Sequence, residues 1–325
     1  MATAAWRRRN PLKPRLRLRT PIAAPARHPR KLGRDRAAAL GLVGATLLWG
    51  ATFVVIRDSL GPLDPAVLVW ARFAAATAIF AVLIAPRART VDRDAVIGGT
   101  VAGLLATGGY LFQAIGLTAT TAGTSAFITS IGALFAGFFA WPLLGQRPSA
   151  LLAAGIGLAL LGSALMAWPS DLRPGAGAGW TLLGALCFAL QIVAISRFAP
   201  RADPIALSGV QSLAVTLALW PAAAARWREL ASLAGPGWWR LLYLIAAGSV
   251  LAPLLQVVAQ RSLAPGRVGL LFALEPVFAL GFTLTLGAER FPARWWWGAA
   301  IILGAVGMVE RRPAMSAGAS RPASG

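Results

Sequence analysis

Long apolar runs broken by short clusters of Arg, Asp, Pro and Gly dominate this chain. A helix crossing the roughly 30 Å hydrocarbon core of a bilayer needs about 20 predominantly apolar residues, and runs near that length recur throughout. Read between the polar clusters, they predict ten spans: 37–56, 65–85, 95–116, 123–143, 149–168, 179–197, 204–224, 239–259, 267–287 and 294–309. Connections such as Gly145–Pro148 are so short that the helices they join must be antiparallel neighbours. Trp295, Trp296 and Trp297 head the last and shortest span as an interfacial anchor, and Trp141, Trp180, Trp220 and Trp238–Trp239 lie near other span ends in the same role.

The pattern also repeats. Asp64-Pro65 with Arg72 eight residues later matches Asp203-Pro204 with Gln211 eight later, an offset of 139. Further on, an offset of 143 pairs Gln113 with Gln256, Phe135 with Phe278, Phe139 with Phe282, Arg147 with Arg290 and Gly155 with Gly298. Two copies of five helices each follow, and five is odd, so the second copy must insert upside down relative to the first. Inverted repeats of this kind are typical of secondary transporters, whose halves rock about a site near the bilayer midplane. The expected organisation is a basic, disordered cytoplasmic tail over 1–36, five-helix copies over 37–170 and 177–310, and a second disordered tail over 311–325.

Composition agrees with a membrane class. Of the 325 residues, 57% are hydrophobic and 13% charged, about half the charged share of a soluble domain, and the mean hydropathy is +0.67. The net charge of +20 would suit a nucleic-acid binder, but 12 of the 31 Lys and Arg lie in residues 1–36. That Pro- and Ala-rich stretch reads instead as a tail lying near anionic headgroups, and no nucleic-acid partner is expected. With the N-terminus in the cytoplasm, 23 Lys and Arg fall inside and 7 outside, with Arg72 within a span. Ten spans then put the C-terminus inside as well, giving a multi-pass protein of the cell (inner or plasma) membrane with both termini cytoplasmic.

The residues at several of these places resemble the EamA-like family of the drug/metabolite transporter superfamily, over about 37–310. Trp49-Gly50-Ala51-Thr52-Phe53 is similar to that family's W-G-x-x-F opening, and Asp64-Pro65 followed by Arg72 to its second-helix pattern. Thr118 through Thr129 resembles its fourth-helix segment. Leu274-Glu275-Pro276-Val277-Phe278, with Gly287-Ala288-Glu289-Arg290, resembles its L-E-P-V-F and G-E-R signatures. The first copy departs from this, having Gly132-Ala133 where the second has Glu275-Pro276, and Gln146 where the family often has Glu, so its helix break is expected to be softer. The resemblance implies a ten-helix bundle, a central cavity between halves, and export of amino acids, metabolites or drugs.

Polar groups inside spans are the candidate pathway, because an ionisable group at a helix centre costs roughly 2.5–3.5 kcal/mol on insertion scales and turns inward. Glu275 and Arg72 are the two charged residues clearly within spans. Glu275 precedes Pro276, which removes a backbone hydrogen bond. A carboxylate there could bind a cation or a substrate amine or exchange a proton, or simply bond to Arg72 or an indole. Arg72 could meet an anionic substrate or snorkel to headgroups. Tyr110 and Gln113 share a helix face, as do Ser125 and Thr129, and Gln191, Gln211 and Gln256 complete the set with Trp49. Each could line a wet cavity or bond between helices. Small residues such as Gly99 and Gly103 let helices pack closely.

Enzyme chemistry lacks its parts. The lone histidine is His28 in the tail, the lone cysteine is Cys187, and neither a metal-ligand set nor a G-x-x-x-x-G-K-[ST] phosphate loop is present. No cofactor is implied. The sequence therefore points to a secondary transporter, most naturally an exporter, of small metabolites, amino acids or drug-like compounds, with protons as a possible partner and oligomeric state open. A non-transporting scaffold or sensor and a lipid-linked substrate flippase are the alternatives.

Overall fold

The computed structural model describes residues 29–167, 175–285 and 292–311. Every regular element among them is helical: α1 (Pro29–Ser59), α2 (Pro65–Ile84), α3 (Arg93–Leu117), α4 (Ala122–Leu144), α5 (Ala150–Ala167), α6 (Ala176–Phe198), α7 (Pro204–Ala224), α8 (Gly235–Gln260), α9 (Pro265–Phe272), α10 (Glu275–Thr285) and α11 (Ala293–Arg311). Among the described residues eight helical stretches are long and apolar enough to cross a membrane, α9 and α10 together forming one of them, and Ala150–Met166 is a shorter apolar helix. With an outer surface carrying Leu40, Val82 and Leu217 largely exposed, the chain is an integral, multi-pass membrane protein. In water such a surface would drive aggregation, whereas in lipid it is solvated.

Local chemistry sets the helix ends. Asp64 and Asp203, the repeated Asp-Pro pairs, cap α2 and α7: Asp64 Oδ1 accepts from the Ala66 amide at 2.8 Å, and Asp203 Oδ1 from the Ile205 and Ala206 amides at 3.0 Å. The proline that follows each begins its helix, where its missing N–H leaves nothing unpaired. Asp92 and Thr121 cap α3 and α4 likewise. Gly145 ends α4 in the left-handed region, φ 71°, which makes the five-residue turn into α5 possible.

Helix α1 corrects one expectation. It begins at Pro29, so residues 29–36 are helical rather than disordered. A proline at the first position followed by long basic side chains and alanines suits a helix start. The rest of both expected tails, and the Gly287–Arg290 signature, lie outside the described residues.

Two distortions occur in the second half. Pro276 has no amide to give the Phe272 carbonyl, and the helix breaks at Ala273–Leu274 between α9 and α10. The matching stretch of α4, with Gly132-Ala133, runs unbroken. In α8, residues Leu244–Leu251 are π-helical, the Ala252 amide donating to the Ala247 carbonyl five residues back. That register assigns the Gly248 carbonyl to residue 253. Pro253 cannot donate, so the Gly248 carbonyl is left for a side chain.

Helix α3 packs along both α6 and α7, α4 along α6 and α9, and α1 along α8 and α10, while α5 pairs mainly with α11. Small residues carry these contacts. A Cβ at Gly99 would meet Val210 and one at Gly103 would meet Ala214, so both glycines of the G-x-x-x-G pair face α7.

Candidate functional site

A cavity of about 500 Å³, its open mouth included, lies at the meeting of α1, α3, α4, α6, α8 and the α9–α10 break. The break supplies its only carboxylate among the lining residues, Glu275. This side chain is 7% exposed, and no side chain among the described residues donates to it. Helix α1 reaches the break through Gly50, where a Cβ would stand 2.9 Å from Phe278 Cβ and 3.2 Å from the Glu275 carbonyl oxygen. Its neighbours use that approach: Trp49 stacks edge-on against Phe272 with centroids 5.4 Å apart, and Phe53 is on the cavity wall. The Trp49-Gly50-x-x-Phe53 string is thus a local device that brings two rings and a bare backbone to the broken helix.

The Trp49 indole also donates to the freed Gly248 carbonyl at 3.1 Å. Arg72 shares that oxygen, Nη2 lying 3.3 Å away, and its Nε donates to Ser249 Oγ at 2.7 Å. The guanidinium sits 4.8 Å from the Tyr110 ring centroid and 5.3 Å from that of Phe73, within cation–π range. Arg72 therefore sits behind the wall that Tyr110 forms. It pairs neither with Glu275 nor with any other carboxylate among the described residues, and it does not snorkel, being 1% exposed.

The neutral polar residues form two small sets. Gln191 and Gln256 exchange amide hydrogen bonds at 3.1 and 3.4 Å, and the Gln113 amide donates to Thr129 Oγ1 at 3.3 Å. All four are buried and all four line the cavity. Of the residues singled out in the sequence, Trp49, Tyr110, Gln113, Thr129, Gln191, Gln256 and Glu275 thus come together. Ser125 and Gln211 do not. Both are buried, and neither the Ser125 hydroxyl nor the Gln211 amide has a hydrogen-bond partner among the described residues. Gln211 stands where the repeat puts Arg72, but α3 offers it no π segment and no proline-freed carbonyl.

The remaining wall is Thr52, Phe53, Ala133, Phe188, Ile192 and Phe272. As apolar or hydroxyl residues in apolar runs they give no polar signal, yet the repeat points to most of them. The offset of 139 carries Trp49 to Phe188, Thr52 to Gln191 and Phe53 to Ile192, and 143 carries Thr129 to Phe272. Among the described residues no group of three His, Cys, Asp or Glu could hold a metal ion.

A many-helix membrane protein with a mostly apolar central cavity holding a few polar groups is the class of molecule that fold and site define. The EamA-like transporter family model matches the chain twice, over residues 36–168 and 175–311, and the chain belongs to that family. It is accordingly a membrane transporter, with a small-molecule substrate and a lipid bilayer as its surroundings. A relative from Archaeoglobus fulgidus, described as an uncharacterized transporter, is 29% identical over 278 residues, covering 85% of this chain and 86% of its own. A protein of known crystal structure shares the fold, with a TM-score of 0.70 and 18% identity over 85% of this chain and 99% of that one.

Proposed function

We propose that the chain is a secondary carrier that exports a small amphipathic metabolite, amino acid or drug-like compound by alternating access. Its five-helix halves, 37–170 and 177–310, insert with opposite orientation to give ten crossings, and both termini face the cytoplasm of the cell membrane. The observation that carries this is the make-up of the cavity wall. Trp49 with Phe188, Thr52 with Gln191, Phe53 with Ile192, Gln113 with Gln256 and Thr129 with Phe272 are repeat-related pairs that line one void. A void lined in this way lies on the axis relating the halves, where a rocking carrier holds its solute.

Contacts between the halves support such an axis. Thr77 and Thr216, equivalent by the offset of 139, touch each other with their hydroxyls 3.0 Å apart. Gly162 of α5 abuts Gly298 of α11, and the equivalent pair in reverse, Gly155 with Ala305, also meets. A residue touching its own counterpart, and contacts that recur with roles exchanged, are what two-fold packing produces. Ion pairs link the halves at both ends. Arg226 bridges Asp64 and Glu229 at 2.6 and 2.7 Å beyond one end of α2, and Arg201 meets Asp94 at 2.8 Å near the other. Exposed pairs of this kind are worth about 0–1 kcal/mol, weak enough to break and re-form as the ends open in turn.

Glu275 is the group that can hold either a proton or the solute in turn, coupling efflux to the proton gradient. Counterflow tests the carrier itself. Proteoliposomes of the full-length protein, preloaded with unlabelled amino acid or aromatic amine, are expected to take up the labelled compound several-fold faster than unloaded ones. Uptake that is identical with and without preloading, for every compound that crosses, would mean a channel or no transport.

A further inference from the structure

The cavity wall is one-sided in charge. Glu275 lies on it with no side-chain donor from the described residues, whereas Arg72, the one buried cation among those residues, is committed to Gly248 and Ser249 and screened by Tyr110. Five aromatic residues share the cavity wall with the carboxylate: Trp49, Phe53, Tyr110, Phe188 and Phe272. Four of them are set in edge-to-face pairs, Trp49 on Phe272 at 5.4 Å and Tyr110 on Phe188 at 4.9 Å. Ring faces attract cations, and a buried carboxylate without a partner is costly until a cation meets it. The amides of Gln191 and Gln256 answer each other. A negatively charged solute group would therefore find no cationic side chain on the wall and a carboxylate opposing it.

We infer that the solute this cavity takes is an organic monocation, a protonated amine or quaternary ammonium on an aromatic or similarly apolar body, rather than a zwitterionic amino acid. The ammonium lies against Glu275 and the body between Trp49, Tyr110 and Phe272. The inference rests on the cavity being the solute site of the carrier proposed above, and it narrows the substrates of that carrier to one charge class.

Four compounds sharing one body separate the possibilities: phenethylamine (cation), phenylalanine (zwitterion), 3-phenylpropionate (anion) and 2-phenylethanol (neutral). Their binding to the purified full-length protein in nanodiscs is measured by titration calorimetry near neutral pH. Phenethylamine is expected to bind about tenfold tighter than 2-phenylethanol or more, one decade in affinity being the scale of a charge-assisted contact, with phenylalanine and 3-phenylpropionate weaker still. In Glu275→Gln the phenethylamine advantage over 2-phenylethanol is expected to disappear. Phenylalanine or 3-phenylpropionate binding as tightly as phenethylamine would overturn the inference, as would no binding by any of the four, or an unchanged advantage in Glu275→Gln. Should that variant not fold, the ranking on the unaltered protein decides alone. Counterflow of phenylalanine but not phenethylamine would leave the carrier standing and remove the charge class. Phenethylamine binding at Glu275 without counterflow of any compound would do the reverse.

Discussion

Replacing Glu275 with Gln is expected to leave a folded protein whose transport no longer responds to a pH gradient. The substitution keeps the shape of a buried side chain that makes no ion pair among the described residues, so little native structure depends on its charge. What it removes is the one group on the cavity wall that can bind either a proton or a cation. The sign follows from that competition. A proton arriving from the acidic side displaces the cation there, and the carboxylate releases the proton on the alkaline side, where a cation can bind again. Efflux should therefore rise when the outside is made acid. Each pH unit corresponds to about 1.4 kcal/mol, or one decade in a fully coupled exchange. Flux in proteoliposomes of the unaltered protein is expected to change several-fold per unit, and flux of Glu275→Gln to be flat. A variant that keeps the full gradient response would end the role of Glu275 in coupling.

The second large effect is structural. Gly103→Leu is expected to reduce folded yield sharply and to lower the thermal midpoint of what remains. A Cβ at residue 103 would stand 2.6 Å from both Ala214 Cβ and the Gln211 carbonyl oxygen, and 3.2 Å from Gln211 Cα. Two of these are backbone atoms of α7, which cannot turn aside as a side chain can, so α3 and α7 must separate along their contact. Overpacking typically costs about 1–3 kcal/mol, occasionally more, and a leucine between two backbones belongs at the upper end. Gly157→Leu is the matched control: nothing lies within 4 Å of its Cβ position, and the residue is exposed. The same change there is expected to leave yield and midpoint close to those of the unaltered protein, as measured by fluorescence-detected size exclusion after heating.

These two sites differ in how far the sequence reveals them. Glu275 stands out as a charge inside an apolar run followed by proline, and its burial follows from the cost of leaving it in lipid, whereas the choice between lining a cavity and bonding between helices is made by the packing around the break. Gly103 is one of 35 glycines, and its spacing from Gly99 is shared with other pairs. Which of them meet a neighbouring helix is settled by tertiary packing. The Asp-Pro pairs are legible as markers of the repeat, and their capping role, which needs only local residues, emerges in the structure. Arg72 is legible as a buried charge but not in its partners. Those arise from a π-helical register in α8, which depends on Pro253 below and on the indole and guanidinium that meet the freed carbonyl from α1 and α2. Phe188 and Ile192 are ordinary core residues to any hydropathy measure, and the repeat offset is the signal that singles them out. Ser125 shares a helical face with Thr129 yet lies one turn earlier, among the small residues of a packed region, so periodicity locates the face but not the depth.

Accessibility of the cavity from the two sides of the membrane is the central test. With Cys187 changed to Ser and Thr52→Cys placed on the cavity wall, a membrane-impermeant maleimide is applied to right-side-out and to inside-out vesicles. Alternating access predicts labelling in both preparations, slowed in both by saturating transported compound. Labelling from one side only, at a rate the compound does not change, would contradict a carrier whose halves rock about this site.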